Sequence, residues 1–327
     1  MVGSANADLV ARCQRLPAPG ETVLASGLST HPGGKGLNQA VAAARDGAVT
    51  AFIGAVGDDA HAGLLRAALT DSGVDVSRLS TVTGPSGTAL ICVDDQGANT
   101  IVVAAGANVA VRAPGPALAP GRGDVLVLQL EIPEPAVRAT AMAARAAGAL
   151  VVLNAAPART LDRELLAVVD HLVVNETEAL TLSGPGANAD PATSPATNPA
   201  TDRATDPATD AIAAATDLLA AAASVVLTRG AAGAVVLRRD AAGRPTQPLP
   251  VPATAVDAVD TTGAGDTFVG VLAAGLARGA ALDDAVRRAV AAATISVTRS
   301  GAVPSIPDRS ETDAATQPAA RPPLPPD

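Results

Sequence analysis

Residues 124–154 read DVLVLQLEIPEPAVRATAMAARAAGALVVLN. An apolar run at 125–130 is followed by prolines, a helical stretch at 134–147 and a second apolar run at 149–154. Two continuous apolar strands joined through a helix describe a βαβ unit, with parallel strands buried on both faces. The alternation continues with a helix at 161–169, a strand at 171–174 and helices at 176–182 and 211–223. Strands at 224–228 and 233–238 complete it. Upstream, a strand at 50–56 between helices at 36–44 and 61–71 fits the same scheme. The pattern predicts an α/β fold, a doubly wound and mostly parallel sheet flanked by helices.

Four early strands, at 8–14, 22–29, 88–93 and 99–103, stand outside the alternation. They predict a small separate β-sheet made by two excursions of the chain, about 8–30 and 86–104. A small sheet beside a doubly wound domain acts as a lid, with the ligand crevice beneath it at the strands' carboxyl ends. Residues 1–307 then form one domain. Pro191 to Asp210 is five tandem tetrads, PATS, PATN, PATD, RATD and PATD. Proline at that density opposes helix, and small polar residues supply no core, so 184–210 is expected as a disordered insert. The Pro- and Ala-rich stretch 308–327 is expected as a mobile tail. Val2 reads as the end of a buried strand that begins upstream.

Composition excludes several classes. The chain has 327 residues, 48% of them apolar, with no Trp, no Tyr and two Phe, so Ala, Val and Leu fill the core. Few aromatics and a net charge of −9 argue against nucleic acid as a partner. Two cysteines, Cys13 and Cys92, form neither a disulfide framework nor a metal motif. With no membrane-spanning run and no signal peptide, a cytoplasmic protein is expected. Lys and Arg total 23, yet Lys35 is the one lysine, set between glycines in Pro32–Asn38. A compact ammonium suits that position where a planar guanidinium does not.

The stretch Asp260–Phe268, DTTGAGDTF, reads as a glycine turn opening a helix. Such a turn presents unpaired N–H groups at the positive end of the helix dipole, a ready anion site. Asp266 lies inside it. A carboxylate there repels phosphate unless it takes a proton from the group attacking the phosphate, the arrangement for phosphoryl transfer to an alcohol. A second glycine motif, Gly33-Gly34-Lys35-Gly36, opens another helix. Neither is a Walker A loop or a dinucleotide fingerprint.

Together these motifs resemble the ribokinase branch of the phosphofructokinase-B-type carbohydrate kinases. The resemblance runs from Gly3 to about Pro307. It rests on GSANAD at 3–8, PAPGET at 17–22, GGKGLNQAVAAAR at 33–45, GDD at 57–59 and QLE at 129–131. NAAPAR at 154–159, NETEA at 175–179, DTTGAGDTF at 260–268 and SVTRSGAVPS at 296–305 complete it. The resemblance implies a ribokinase-like fold and ATP-dependent phosphorylation of D-ribose at O5. Asn6, Asp8, Gly34, Lys35, Gly36, Asn38 and Glu131 would hold the sugar hydroxyls. Asp266 would be the base, and the N–H groups of Gly263, Ala264 and Gly265 would hold the transferred phosphoryl oxygens. Asn175, Glu178, Thr228, Gly230 and Gly233 would serve ATP, with Asn175 and Glu178 placing Mg²⁺. Asp260, Thr262, Ser296, Arg299, Gly301 and Ser305 match the family's K⁺ loop.

Val290 stands where the family often places a polar residue near adenine. Deoxyribokinase or adenosine kinase activity on the same fold is the nearest alternative, and the lack of aromatics disfavours a nucleoside. A sugar-binding regulator without catalysis is the other alternative, disfavoured by the intact Asp266 and its glycines. Exposed lid edges point to a homodimer.

Overall fold

The computed structural model describes residues 1–115, 120–184 and 207–316. Its central sheet contains β7 (Val125–Leu128), β8 (Leu150–Asn154), β9 (His171–Asn175), β10 (Ser224–Thr228), β11 (Ala234–Arg238) and β12 (Leu249–Val251) in spatial sequence. The pairs β7–β8, β8–β9 and β9–β10 are parallel, and β11 and β12 add antiparallel edges. A parallel pair, β3 (Ala51–Val56) and β4 (Asp75–Thr81), extends the other side. Val2 joins the two parts by bridging Ile53 and Leu128.

The apolar strands explain the two covered faces. Leu126, Leu128, Val151, Leu153, Leu172, Val174, Val225 and Leu227 enter one core cluster. Their neighbours Val127, Val152, Val173 and Val226 enter the other, against α7 (Ala264–Ala277) and α8 (Leu282–Ser296). Side chains alternate along a strand, so residues apolar at every position need helices on both sides. The first cluster packs under α3 (Glu134–Ala146), α4 (Arg163–Ala167), α5 (Glu176–Ser183) and α6 (Pro207–Leu218). A third cluster joins α1 (Lys35–Arg45) and α2 (Ala60–Thr70) to β3 and β4.

The lid is a four-stranded sheet ordered β2 (Ala25–Gly33), β1 (Asn6–Cys13), β5 (Gly87–Val93), β6 (Asn99–Ala104). The lid leaves Leu28, Leu90, Ile101, Val102 and Val103 exposed.

Two expectations need correction. The last tetrad, 207–210, forms the first turn of α6, because proline is tolerated at a helix start, where its missing N–H has no partner to lose. The earlier tetrads lie outside the described residues. The expected tail begins as α9 (Arg309–Thr316), held to α8 through Arg288–Asp313 and anchored by buried Thr312; residues 317–327 lie outside the described residues. Val290 packs in the apolar core under β11 and β12.

Candidate active site

Two helix N-termini meet below the lid, and their sequences make them different. At α7, Gly263 is the N-cap with φ 74°, a left-handed conformation that glycine adopts without Cβ strain, and no side chain caps the helix. Among the described residues, the Gly263 and Gly265 N–H groups have no hydrogen-bond partner, whereas the Ala264 N–H donates to Thr261 O at 3.2 Å. Two of the three expected anion donors are therefore free, and Ala264 is engaged within the turn. At α1 the first turn is already filled. Lys35 N donates to Glu131 Oε2 at 3.1 Å, and Ser4 Oγ donates to the same oxygen at 2.6 Å. Gly36 N donates to Ser4 Oγ at 3.3 Å. The open positive end is the one that carries Asp266.

Asp266 is 8% exposed, and both its oxygens accept amide donors. Asn38 Nδ2 donates to Oδ2 at 3.0 Å and Gln39 Nε2 to Oδ1 at 2.9 Å. Gln39 Nε2 also donates to Asn154 Oδ1 at 3.1 Å, and Gln129 Nε2 donates to Gln39 Oε1 at 2.5 Å. Gln39, Gln129 and Asn154 were not singled out from the sequence, although each stands in a motif that was. The contact depends on α1 lying close against α7. A Cβ on Gly270 would sit 2.4 Å from Gln39 O and 2.5 Å from Ala42 Cβ, so only glycine lets the two helices approach this far. Buried Asp46, at the end of α1, fastens them by accepting from Arg278 and Arg288.

The remaining sugar-side residues surround this pair. Asn6 and Asp8 are buried on β1, and a Cβ on Gly33 would lie 2.0 Å from Asp8 Oδ2. Burial, then the neighbouring charges of Glu131 and Asp266, pushes the Asp8 carboxyl from its ordinary 3.8 to about 7. Burial opposes the Lys35 charge, but Asp266, Glu131 and Glu178 outweigh it and hold the ammonium above its usual range. Lys35 thus feels carboxylates from both sides of the cleft. Gly34, with φ 88°, caps the helix on which Lys35, Gly36 and Asn38 sit.

The nucleotide-side candidates gather at the carboxyl ends of β9 and β10, where Thr228 pairs with Asn175 in register. Asn175 and Glu178 form a reciprocal capping box at the start of α5, both bonds at 2.8 Å. Among the described residues, Glu178 Oε1 accepts no hydrogen bond, so it stays available to water around a cation. Burial pushes the Glu178 carboxyl up, against the Asn175 N–H and Lys35. Gly230 and Gly233 shape the turn after β10 with φ 50° and 86°.

Of the cation-loop candidates, Asp260 accepts from Thr262 N at 2.9 Å and Gly301 N at 2.8 Å, tying the two loops together. Burial opposes the Asp260 charge, but these bonds win and lower its pKa. Ser305 Oγ donates to Ala302 O at 2.8 Å, and Ala302 lies 3.0 Å from where a Gly263 Cβ would be. The side chains of Ser296 and Arg299 turn elsewhere, to Ala293 O at 2.9 Å and to Glu311.

A helix-dipole anion site holding a fully hydrogen-bonded carboxylate, under a lid at the carboxyl end of a doubly wound sheet, is the arrangement of a sugar kinase. Residues 1–309 match the pfkB family of carbohydrate kinases, and the chain belongs to that family. A ribokinase from Haemophilus influenzae is 36% identical over 318 residues, covering 95% of this chain and 96% of its own length. One from Bacillus subtilis is 35% identical over 320 residues, with 96% and 97% covered. The structure of Arabidopsis thaliana ribokinase complexed with ribose and ATP matches with a TM-score of 0.79 at 32% identity, covering 96% of each chain. Among the described residues, no helix is long and apolar enough to cross a membrane.

Proposed function

We propose that this chain transfers the γ-phosphoryl group of ATP to O5 of D-ribose, giving D-ribose 5-phosphate and ADP. The observation that carries the reading is Asp266, a carboxylate with both oxygens held by amides inside an otherwise open helix N-terminus. In the reaction, ribose O5 forms a bond to the γ-phosphorus as the bond from that phosphorus to the β–γ bridging oxygen breaks. The O5 proton passes to Asp266. An aspartate is a weak base for an alcohol, which is sufficient when the transition state is loose and the proton leaves late. The free N–H groups of Gly263 and Gly265 face the charge on the transferred oxygens.

Asn6, Asp8, Gly34, Lys35, Gly36, Asn38 and Glu131 are assigned to the sugar. Asn175, Glu178, Thr228, Gly230 and Gly233 are assigned to ATP. Mg²⁺ suits the nucleotide side because it keeps several waters and needs few protein ligands, and Glu178 Oε1 is open to such waters. When bound, Mg²⁺ neutralises phosphate charge. K⁺ suits the loops that Asp260 joins, where it would order the Gly263 turn without touching substrate. The exposed apolar side chains of the lid support a homodimer formed through it.

ADP formation measured with D-ribose, 2-deoxy-D-ribose, fructose and adenosine tests the assignment. Turnover is expected with ribose at the highest kcat/KM. A preference for adenosine would move the chain to the nucleoside kinases, and ribose binding without any ADP would make it a non-catalytic binder.

A further inference from the structure

The short helical turn Gly106–Ala110, where the chain leaves the lid, carries Asn108, which is 1% exposed. Its amide is read by the backbone of Ala5. Ala5 N donates to Asn108 Oδ1 at 3.0 Å, and Asn108 Nδ2 donates to Ala5 O at 3.3 Å. A backbone N–H can only donate and a C=O can only accept, so the Asn108 amide is locked in one of its two flips. Its other N–H donates to Asn6 Oδ1 at 2.7 Å. The polarity of Asn6 follows. Its oxygen is used, and Nδ2 forms no hydrogen bond to the described residues. The node is tight, since a Cβ on Gly87 would lie 2.2 Å from both Asn108 Nδ2 and Asn6 Oδ1.

We propose that Asn108 is a positioning residue for sugar specificity: it orients Asn6 so that only donors face the sugar pocket. The proposal rests on the reading of Asn6 as a sugar ligand. Asn6 and Asp8 are two apart on β1 and point to the same face of the lid. Asn6 then offers N–H groups beside the carboxylate acceptors of Asp8. A donor next to an acceptor matches two adjacent hydroxyls, one accepting and one donating. A sugar lacking either hydroxyl leaves a buried polar group unpaired, which is how a polar site rejects a deoxy analogue.

A residue that merely fastened the lid would not act through Asn6, so a double-mutant cycle separates the roles. Ribose KM, ATP KM and kcat are measured for Asn6→Ala, for Asn108→Asp and for the double variant, with 2-deoxy- and 3-deoxy-D-ribose as competitors. Asn108→Asp keeps the acceptor for Ala5 N but turns an acceptor toward Asn6, reversing the Asn6 amide. Ribose KM is expected to rise about tenfold or more, the size of one charged or buried hydrogen bond. Preference over the deoxy sugars should shrink, and ATP KM should stay within about twofold. In the Asn6→Ala background the Asn108 effect should vanish. An equal effect in both backgrounds overturns the proposal. An unchanged ribose KM for Asn6→Ala alone overturns the ligand reading itself, and the proposal with it. If Asn108→Asp does not fold, Asn108→Ser, which retains a donor, runs through the same cycle with a smaller expected rise.

Discussion

The two walls of the cleft are made of different material. On the proposed sugar wall the candidates are side chains: Asn6, Asp8, Asn38 and Asp266 are buried, and each oxygen of Asp266 is held by an amide. On the nucleotide wall the candidates are strand ends, two glycines in a turn and a capping box that would exist in any well-capped helix. The contrast teaches where specificity and tolerance lie. Preorganised buried side chains discriminate sharply, because a mismatch leaves them unpaired. On the proposed assignment, backbone and glycine would accept any triphosphate of the right shape.

The largest effect should come from removing the base. Asp266→Asn is expected to lower kcat about 10²–10⁴-fold, the usual range for general-base catalysis, while ribose still binds by calorimetry. Near-normal turnover would erase the distinction between the walls. Next is Gln39→Leu, which removes a donor to Asp266 from a fully buried position. A hydrogen bond to a charged group corresponds to about 10–100-fold, expected in kcat with ribose KM nearly constant. A change in KM alone would show that Gln39 shapes the pocket instead of the base.

The sugar wall was legible in outline only. Short glycine-flanked motifs and the strand-by-strand apolar alternation from Val125 to Arg238 are local signals, and they placed the fold and named the candidate site residues. Asn108 gave no such signal, and its partner Asn6 lies 102 residues away. Gln39 and Asn154 stand inside motifs that were read, but their bond to each other spans 115 residues and that of Gln39 to Asp266 spans 227. Which amides meet depends on how closely Gly270 lets α1 and α7 pack, and single-residue chemistry does not encode that distance. The strand β4 was missed for a different reason: its DVSRLST stretch buries only Leu79, so it lacks an apolar face. α9 was hidden by the proline-rich residues that follow it.

The next effect is on pH. Asp8 titrates at about 7 in the folded chain against an ordinary 3.8, so between these values the folded state binds more protons than the unfolded. Its contribution to stability is therefore present at low pH and is lost as pH rises through about 7. Thermal unfolding without ligand should show that decline, and Asp8→Asn should flatten it. Ribose KM should move the opposite way, rising as pH falls below about 7, because the ionised carboxylate accepts from hydroxyls. A flat KM profile would mean that Asp8 does not meet the sugar as an acceptor. The smallest effect belongs to the other wall. Thr228→Val removes a hydroxyl whose bond in the free protein goes to Val174 O at 3.3 Å. ATP KM should rise less than about fivefold, the size of one neutral hydrogen bond. A larger rise would show side-chain recognition where backbone was expected.

The most direct measurement is the phosphorus NMR spectrum of the product formed from D-ribose and ATP. Transfer to the terminal hydroxyl facing Asp266 predicts one phosphate ester coupled to two equivalent-position C5 protons, formed in equal amount with ADP. A phosphate coupled to the single anomeric proton, or no ester at all, would contradict it.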